Sequence, residues 1–114
     1  MNQQKRQNPR AFDPVPGEVY ENAGGGKFLV EGCDPEARTA WMTNIKSGWS
    51  LTAVRVVQYD DRTIEWDYSK DGHFLPLDES RLQKVYDALE KQAYRETIRH
   101  RQRSLVNAML CCLI

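Results

Sequence analysis

Residues 49–68 read WSLTAVRVVQYDDRTIEWDY, and this stretch decides the fold class. Its first half is rich in β-branched side chains (Thr52, Val54, Val56 and Val57), which favour an extended backbone. Tyr59-Asp60-Asp61-Arg62 supplies a turn. Thr63–Tyr68 then alternates Ile64, Trp66 and Tyr68 with Glu65 and Asp67, the two-residue period of a strand with distinct faces. A long strand, a short turn and a second strand make an antiparallel hairpin.

Working upstream, Lys46-Ser47-Gly48 turns the chain out of an earlier strand, Arg38–Asn44, which sets Ala40 and Met42 opposite Trp41. Before it, Lys27–Glu31 places Phe28 and Val30 on the face away from Leu29. Gly32-Cys33-Asp34-Pro35-Glu36 reads as a loop. Ala23-Gly24-Gly25-Gly26 joins Lys27–Glu31 to a first short strand, Glu18–Asn22, through a glycine-rich hairpin turn. Five short strands with compact turns predict a small antiparallel sheet or an SH3-like half-barrel over residues 17–76. Residues 1–16, rich in Gln, Asn and Pro and without periodicity, read as a disordered arm.

Downstream the period changes. Asp78 is a suitable N-cap, Glu79 suits the first turn, and Leu82, Val85, Tyr86, Leu89 and Ala93 recur at helical spacing. No Gly or Pro follows Pro76, so a C-terminal helical region is expected over residues 78–112. The apolar stripe thins to Tyr94 and Ile98 and returns as Leu105, Val106, Met109, Leu110 and Leu113. A straight helix of that length is about 50 Å long at 1.5 Å per residue, longer than a small barrel can cover. The second half therefore either folds back through a break near Arg101–Ser104 or packs on a second copy, through Leu105, Met109 and Leu110. The expectation is one α+β domain over residues 17–114.

The charge is balanced overall but unevenly distributed. Residues 17–78 carry six basic and eleven acidic side chains, whereas residues 79–114 carry seven and four. No net positive field argues for nucleic acid, which stays a less favoured partner. Cys33, Cys111 and Cys112 do not form a disulfide framework, and Met1–Arg10 lacks the apolar centre of a leader. With no apolar run of about 20 residues, a cytoplasmic protein is expected. Cys111-Cys112-Leu113-Ile114 fits a prenylation pattern formally, but Ile is an unusual last residue, and a helix end packed on a partner fits better.

Catalytic motifs are weak. His73 and His100 have no partner at metal-ligand spacing, so neither a metal nor a cofactor is expected. Ser47, His73 and Asp67 form a triad only on paper. Glu65 and Asp67 share a strand face, as a solvated surface also would. Gly24-Gly25-Gly26-Lys27 lacks the remainder of a phosphate-binding loop. Two features stand out. Trp41, Trp49, Trp66, Tyr68 and Phe74 are dense; most suit the core, while one at the barrel mouth could stack on a base. Arg95, Arg99 and Arg103 recur every four residues along one helical stripe, extended by Lys91, and can grip phosphate or carboxylate.

Pro16-Gly17-Glu18-Val19-Tyr20-Glu21-Asn22, Gly24-Gly25-Gly26-Lys27-Phe28, Ser47-Gly48-Trp49, Thr63-Ile64-Glu65-Trp66-Asp67-Tyr68-Ser69 and Gly72-His73-Phe74 occur in that order. Together they resemble a group of small phage and prophage proteins of Firmicutes, over Pro16–Phe74 and without the helix. Asp61-Arg62 stands where those proteins would usually carry Asp-Gly. The resemblance implies a mobile-element origin. In architecture alone, a β-sheet followed by a C-terminal helical region is also similar to the Thoeris anti-defence sponges, which sequester a nucleotide signal.

Three non-enzymatic functions follow as expectations. In the first, an oligomer holds a phosphate-bearing nucleotide, with Arg95, Arg99 and Arg103 on phosphate and Trp66 or Phe74 on the base. In the second, an acidic surface including Asp60 and Asp61 blocks a host defence protein such as a CRISPR effector. In the third, the chain is an assembly module acting through its own oligomer.

Overall fold

The computed structural model describes residues 7–112, with side chains through residue 102. Six strands precede one helix: β1 (Arg10–Ala11), β2 (Val19–Glu21), β3 (Lys27–Asp34), β4 (Thr39–Asn44), β5 (Trp49–Gln58), β6 (Ile64–Phe74) and α1 (Glu79–Cys112). The strands form one antiparallel sheet in the order β1-β5-β4-β3-β2, with β6 on the other edge of β5. A parallel bridge between Asn22 and Ile64 brings the β2 end back to β6, so the sheet curls on itself.

The curl encloses a core of Phe28, Val30, Ala40, Met42, Leu51, Ala53, Val56 and Ile64. Phe28 meets Trp66 edge-to-face at 5.3 Å, and Phe12 meets Tyr20 at 5.4 Å, so rings from strands distant in sheet order seal the interior. Phe12 and the buried Pro14 belong to the stretch read as a disordered arm, and Arg10 and Ala11 supply the sixth strand. Residues 1–6 of that arm lie outside the described residues.

The strand β5 changes partners along one edge. It pairs with β4 through Val54, then with β1 at Val57 and Gln58. Arg55 sits at the changeover with φ 57, its N–H donating to the Arg38 carbonyl at 2.8 Å.

The segment Gly32–Asp34, expected as a loop, continues β3 beyond a bulge at Glu31. The extra residue resets the alternation. Phe28, Val30 and Cys33 join the interior cluster, Leu29 packs under the helix, Glu31 bonds a helix residue, and Gly32 lies beneath Trp41. A Cβ on Gly32 would stand 2.6 Å from the Trp41 ring, and one on Gly72 would stand 2.5 Å from Trp49. These tryptophans therefore lie over bare backbone on the surface. The expectation that most of the aromatic set is core is corrected accordingly: Trp41, Trp49, Tyr68 and Phe74 are exposed, and Trp66 alone among the five packs against the core.

The helix is continuous, with no break near Arg101–Ser104. Asp78 caps it, its Oδ1 accepting from Arg81 N at 2.9 Å. Val85 and Ala88 are buried against Val19 and Leu29, with Leu89 and Ile45 beside them. Tyr86 and Ala93, expected on this face, point to solvent, and Ala88 takes the central place. A residue without a long side chain there lets the helix approach the sheet closely.

A half-buried polar chain fixes the helix start. Arg81 Nη1 and Nη2 donate to Glu31 Oε1 and Oε2 at 2.9 and 2.5 Å, a bidentate pair. Thr43 Oγ1 donates to Glu31 Oε2 at 2.7 Å; its one proton is thereby spent, so Ser50 donates to Thr43 across their 2.7 Å contact. Further along, Gln92 Nε2 donates to the Val19 carbonyl at 2.6 Å and Arg95 pairs with Glu18 at 2.5 Å. The described part of the chain contains no helix long and apolar enough to cross a membrane.

Removing one partner of a half-buried pair strands the other, at a cost of about 2 kcal/mol. Arg81→Ala and Glu31→Ala are each expected to lose about that much in urea denaturation. The double variant should lose clearly less than the two combined; strict additivity would contradict the coupling.

Candidate functional site

The helix does not lie flat on the barrel along its whole length. Between Leu89–Arg99 on one side and β2, the start of β3 and the β5–β6 turn on the other, a cleft of about 500 Å³ opens. That volume is in the range of small-molecule sites.

Four cations line it. Arg95 and Arg99 come from the helix, Lys27 from the first position of β3, and Arg62 from the β5–β6 turn. Four carboxylates line it as well: Glu18, Glu21, Asp61 and Glu96. Their engagements differ. Arg95 is held by Glu18, whose hydrogen bond and charge raise the guanidinium pKa still further, so it stays charged. The Asp61 carboxylate ties its own turn, accepting from Thr63 N at 3.0 Å and Thr63 Oγ1 at 2.5 Å. Among the described residues, Lys27, Arg62 and Arg99 make no ion pair. Three cations without a direct ion pair, from three separate elements, therefore meet in one concavity, whose lining is balanced in formal charge by its four carboxylates.

Arg95 and Arg99 thus lie where the helical stripe placed them, but Lys91 is outside the cleft. Arg103, Leu105, Met109 and Leu110 lie outside the described side chains. The expected stacking residues are not brought to the cleft: Trp66 is against Phe28, and Phe74 packs edge-to-face on Trp49 at 4.8 Å. Lys27 and Arg62 carried no sequence signal, because the contact of a strand start and a turn with the helix is set by the sheet's curl.

The remaining sequence candidates have other partners. Ser47 Oγ accepts from Trp49 N at 3.1 Å, His73 Nδ1 meets the Asp71 carbonyl at 2.8 Å, and Asp67 pairs with Arg55, so the three do not assemble as a triad. Glu65 accepts from the Tyr59 hydroxyl at 2.9 Å, and Asp60 stays exposed in the turn beside Asp61. The described residues hold no cluster of three metal-ligating side chains.

Comparison with protein-family models, curated proteins and solved structures finds no match to the chain.

Tyr20 closes the inner side of the cleft. Burial raises its phenol pKa above the ordinary 10.0, outweighing the Val15 N–H that its oxygen accepts at 3.1 Å. The folded state prefers the neutral phenol. Its contribution to stability is thus fully present below about pH 10 and is lost as pH rises through the raised value. Above pH 10 the Tm of the native chain should fall more steeply than that of Tyr20→Phe; parallel slopes would contradict this assignment.

Proposed function

We propose that this protein is a non-enzymatic binding protein of mobile-element origin that sequesters a phosphate-bearing nucleotide signal of host defence. The observation that carries the reading is the convergence of Lys27, Arg62, Arg95 and Arg99 on one cleft of nucleotide size. Guanidinium forks suit phosphate oxygens and can grip them in pairs, and the four cations are solvent-exposed and so open to a ligand. The anti-defence setting rests on the resemblance of the ordered motifs over Pro16–Phe74 to phage proteins and on the sheet-then-helix architecture. The helix beyond Arg99 extends away from the cleft, and its apolar sequence pattern supports pairing with a second copy.

A surface that mimics nucleic-acid phosphates is less well supported. Of the acidic residues close in sequence there, Asp67 is neutralised by Arg55, Glu65 is bonded to Tyr59, and Asp61 holds its own turn.

Purified protein mixed with a panel of cyclic and ADP-ribose-type nucleotides is expected to show a Tm rise of several degrees with at least one of them. Arg99→Glu should weaken that complex by about tenfold to a hundredfold, the worth of a charged hydrogen-bond pair, while leaving the unliganded Tm within a few degrees. No Tm change with any nucleotide would contradict the reading.

A further inference from the structure

Arg62 occupies the β5–β6 turn with φ 71, a left-handed backbone that Gly or Asn adopts far more readily. The turn itself does not require an arginine. Its hydrogen bonds include those from Tyr59 N to the Thr63 carbonyl at 3.0 Å, from Arg62 N to the Tyr59 carbonyl at 2.9 Å, from Thr63 N and Oγ1 to Asp61, and from Gln58 Nε2 to the Arg62 carbonyl at 3.3 Å. None uses the Arg62 guanidinium, which lines the cleft and makes no ion pair among the described residues. A strained position that retains a costly side chain points to a use for that side chain.

Lys27 stands with Arg62 on the barrel wall, whereas Arg99 and Arg95 belong to the helix wall. One phosphate on either wall would reach only that wall's cations, in a cleft far larger than a single phosphate requires. Two linked anionic groups meet both walls. Glu21 and Glu96 line the same space, and their carboxylates repel further negative charge while accepting hydrogen bonds from hydroxyl groups.

Resting on the reading of the cleft as the phosphate site, we infer that Arg62 is an anion-gripping residue and that the ligand is a diphosphate-bearing ribonucleotide spanning the barrel and helix walls. Arg62 and Lys27 hold one phosphate and Arg99 the other. Arg95 is already committed to Glu18, so the added anion either displaces that carboxylate or binds beside it; the assignment of Arg62 holds in both cases.

Titration calorimetry of the full chain with AMP and with ADP tests this. The native chain is expected to bind ADP at least tenfold more tightly than AMP. Arg62→Gly should bring the two within about twofold, and its unliganded Tm should rise by a few degrees because the backbone strain is relieved. Arg62→Asn, which also tolerates the left-handed backbone, should lose the same preference and serves as the check against an unforeseen effect of glycine. If both variants keep the native preference for ADP while Arg99→Ala loses affinity, the role of Arg62 is overturned and the cleft remains the phosphate site. If neither nucleotide binds, this inference falls while the reading of the cleft is decided by the wider nucleotide panel; if Arg99→Ala binds both as the native chain does, the reading of the cleft falls and this inference with it.

Discussion

The bidentate contact of Arg81 with Glu31 is the constraint on which the rest of the arrangement depends. Glu31 follows Leu29 at the two-residue period of the strand and so shares its helix-facing side, and the bulge at this point lets Cys33 return to the interior. Thr43 and Ser50 extend the contact into β4 and β5, so one chain of hydrogen bonds joins three strands to the first turn of the helix. Asp78 caps that same turn. The helix axis is thereby set at its start, and Val85, Ala88 and Gln92 follow at the spacing that keeps one face on β2 and β3.

From that anchor the cleft follows as geometry. A straight helix leaving a curved barrel must diverge from it, and the divergence begins where Arg95 still reaches Glu18. The gap stays open there, lined by charged side chains from both walls together with Val15, Val19, Tyr20 and Leu89. The barrel side has its own constraint, since Asn22 and Ile64 bring the end of β2 beside the start of β6 and carry the β5–β6 turn toward the helix. The cations meet because two closures, one of the sheet and one of the helix, end at the same place.

Much of the fold was legible in the sequence because it is written in local periodicity. The β-branched run in Trp49–Gln58, the alternation from Ile64 to Tyr68, the glycine-rich turn and the Asp78 cap each depend on neighbouring residues alone. The differences arose where tertiary contact overrides local pattern. Gly32-Cys33-Asp34 has loop composition, yet a bulge and the Trp41 ring hold it in the sheet. Trp41 and Trp49 look like core residues but cover glycine backbone on the surface. Arg10 and Ala11 become a strand because β5 outlasts its pairing with β4. Half of the candidate site, Arg95 and Arg99, was visible as a helical stripe. Lys27 and Arg62 were not, because no sequence period links a strand start to a distant turn.

The central claim is that one chain's helix and barrel together form an anion site. Amide correlation spectra of the isotope-labelled full chain, recorded during titration with ADP, test it most directly. The account predicts that shift changes concentrate at 18–21, 27, 61–63 and 92–99, on both walls at once, with the surface around Trp49 and Phe74 unaffected. Changes confined to Trp41, Trp49 and Phe74, or to the helix wall alone, would contradict it.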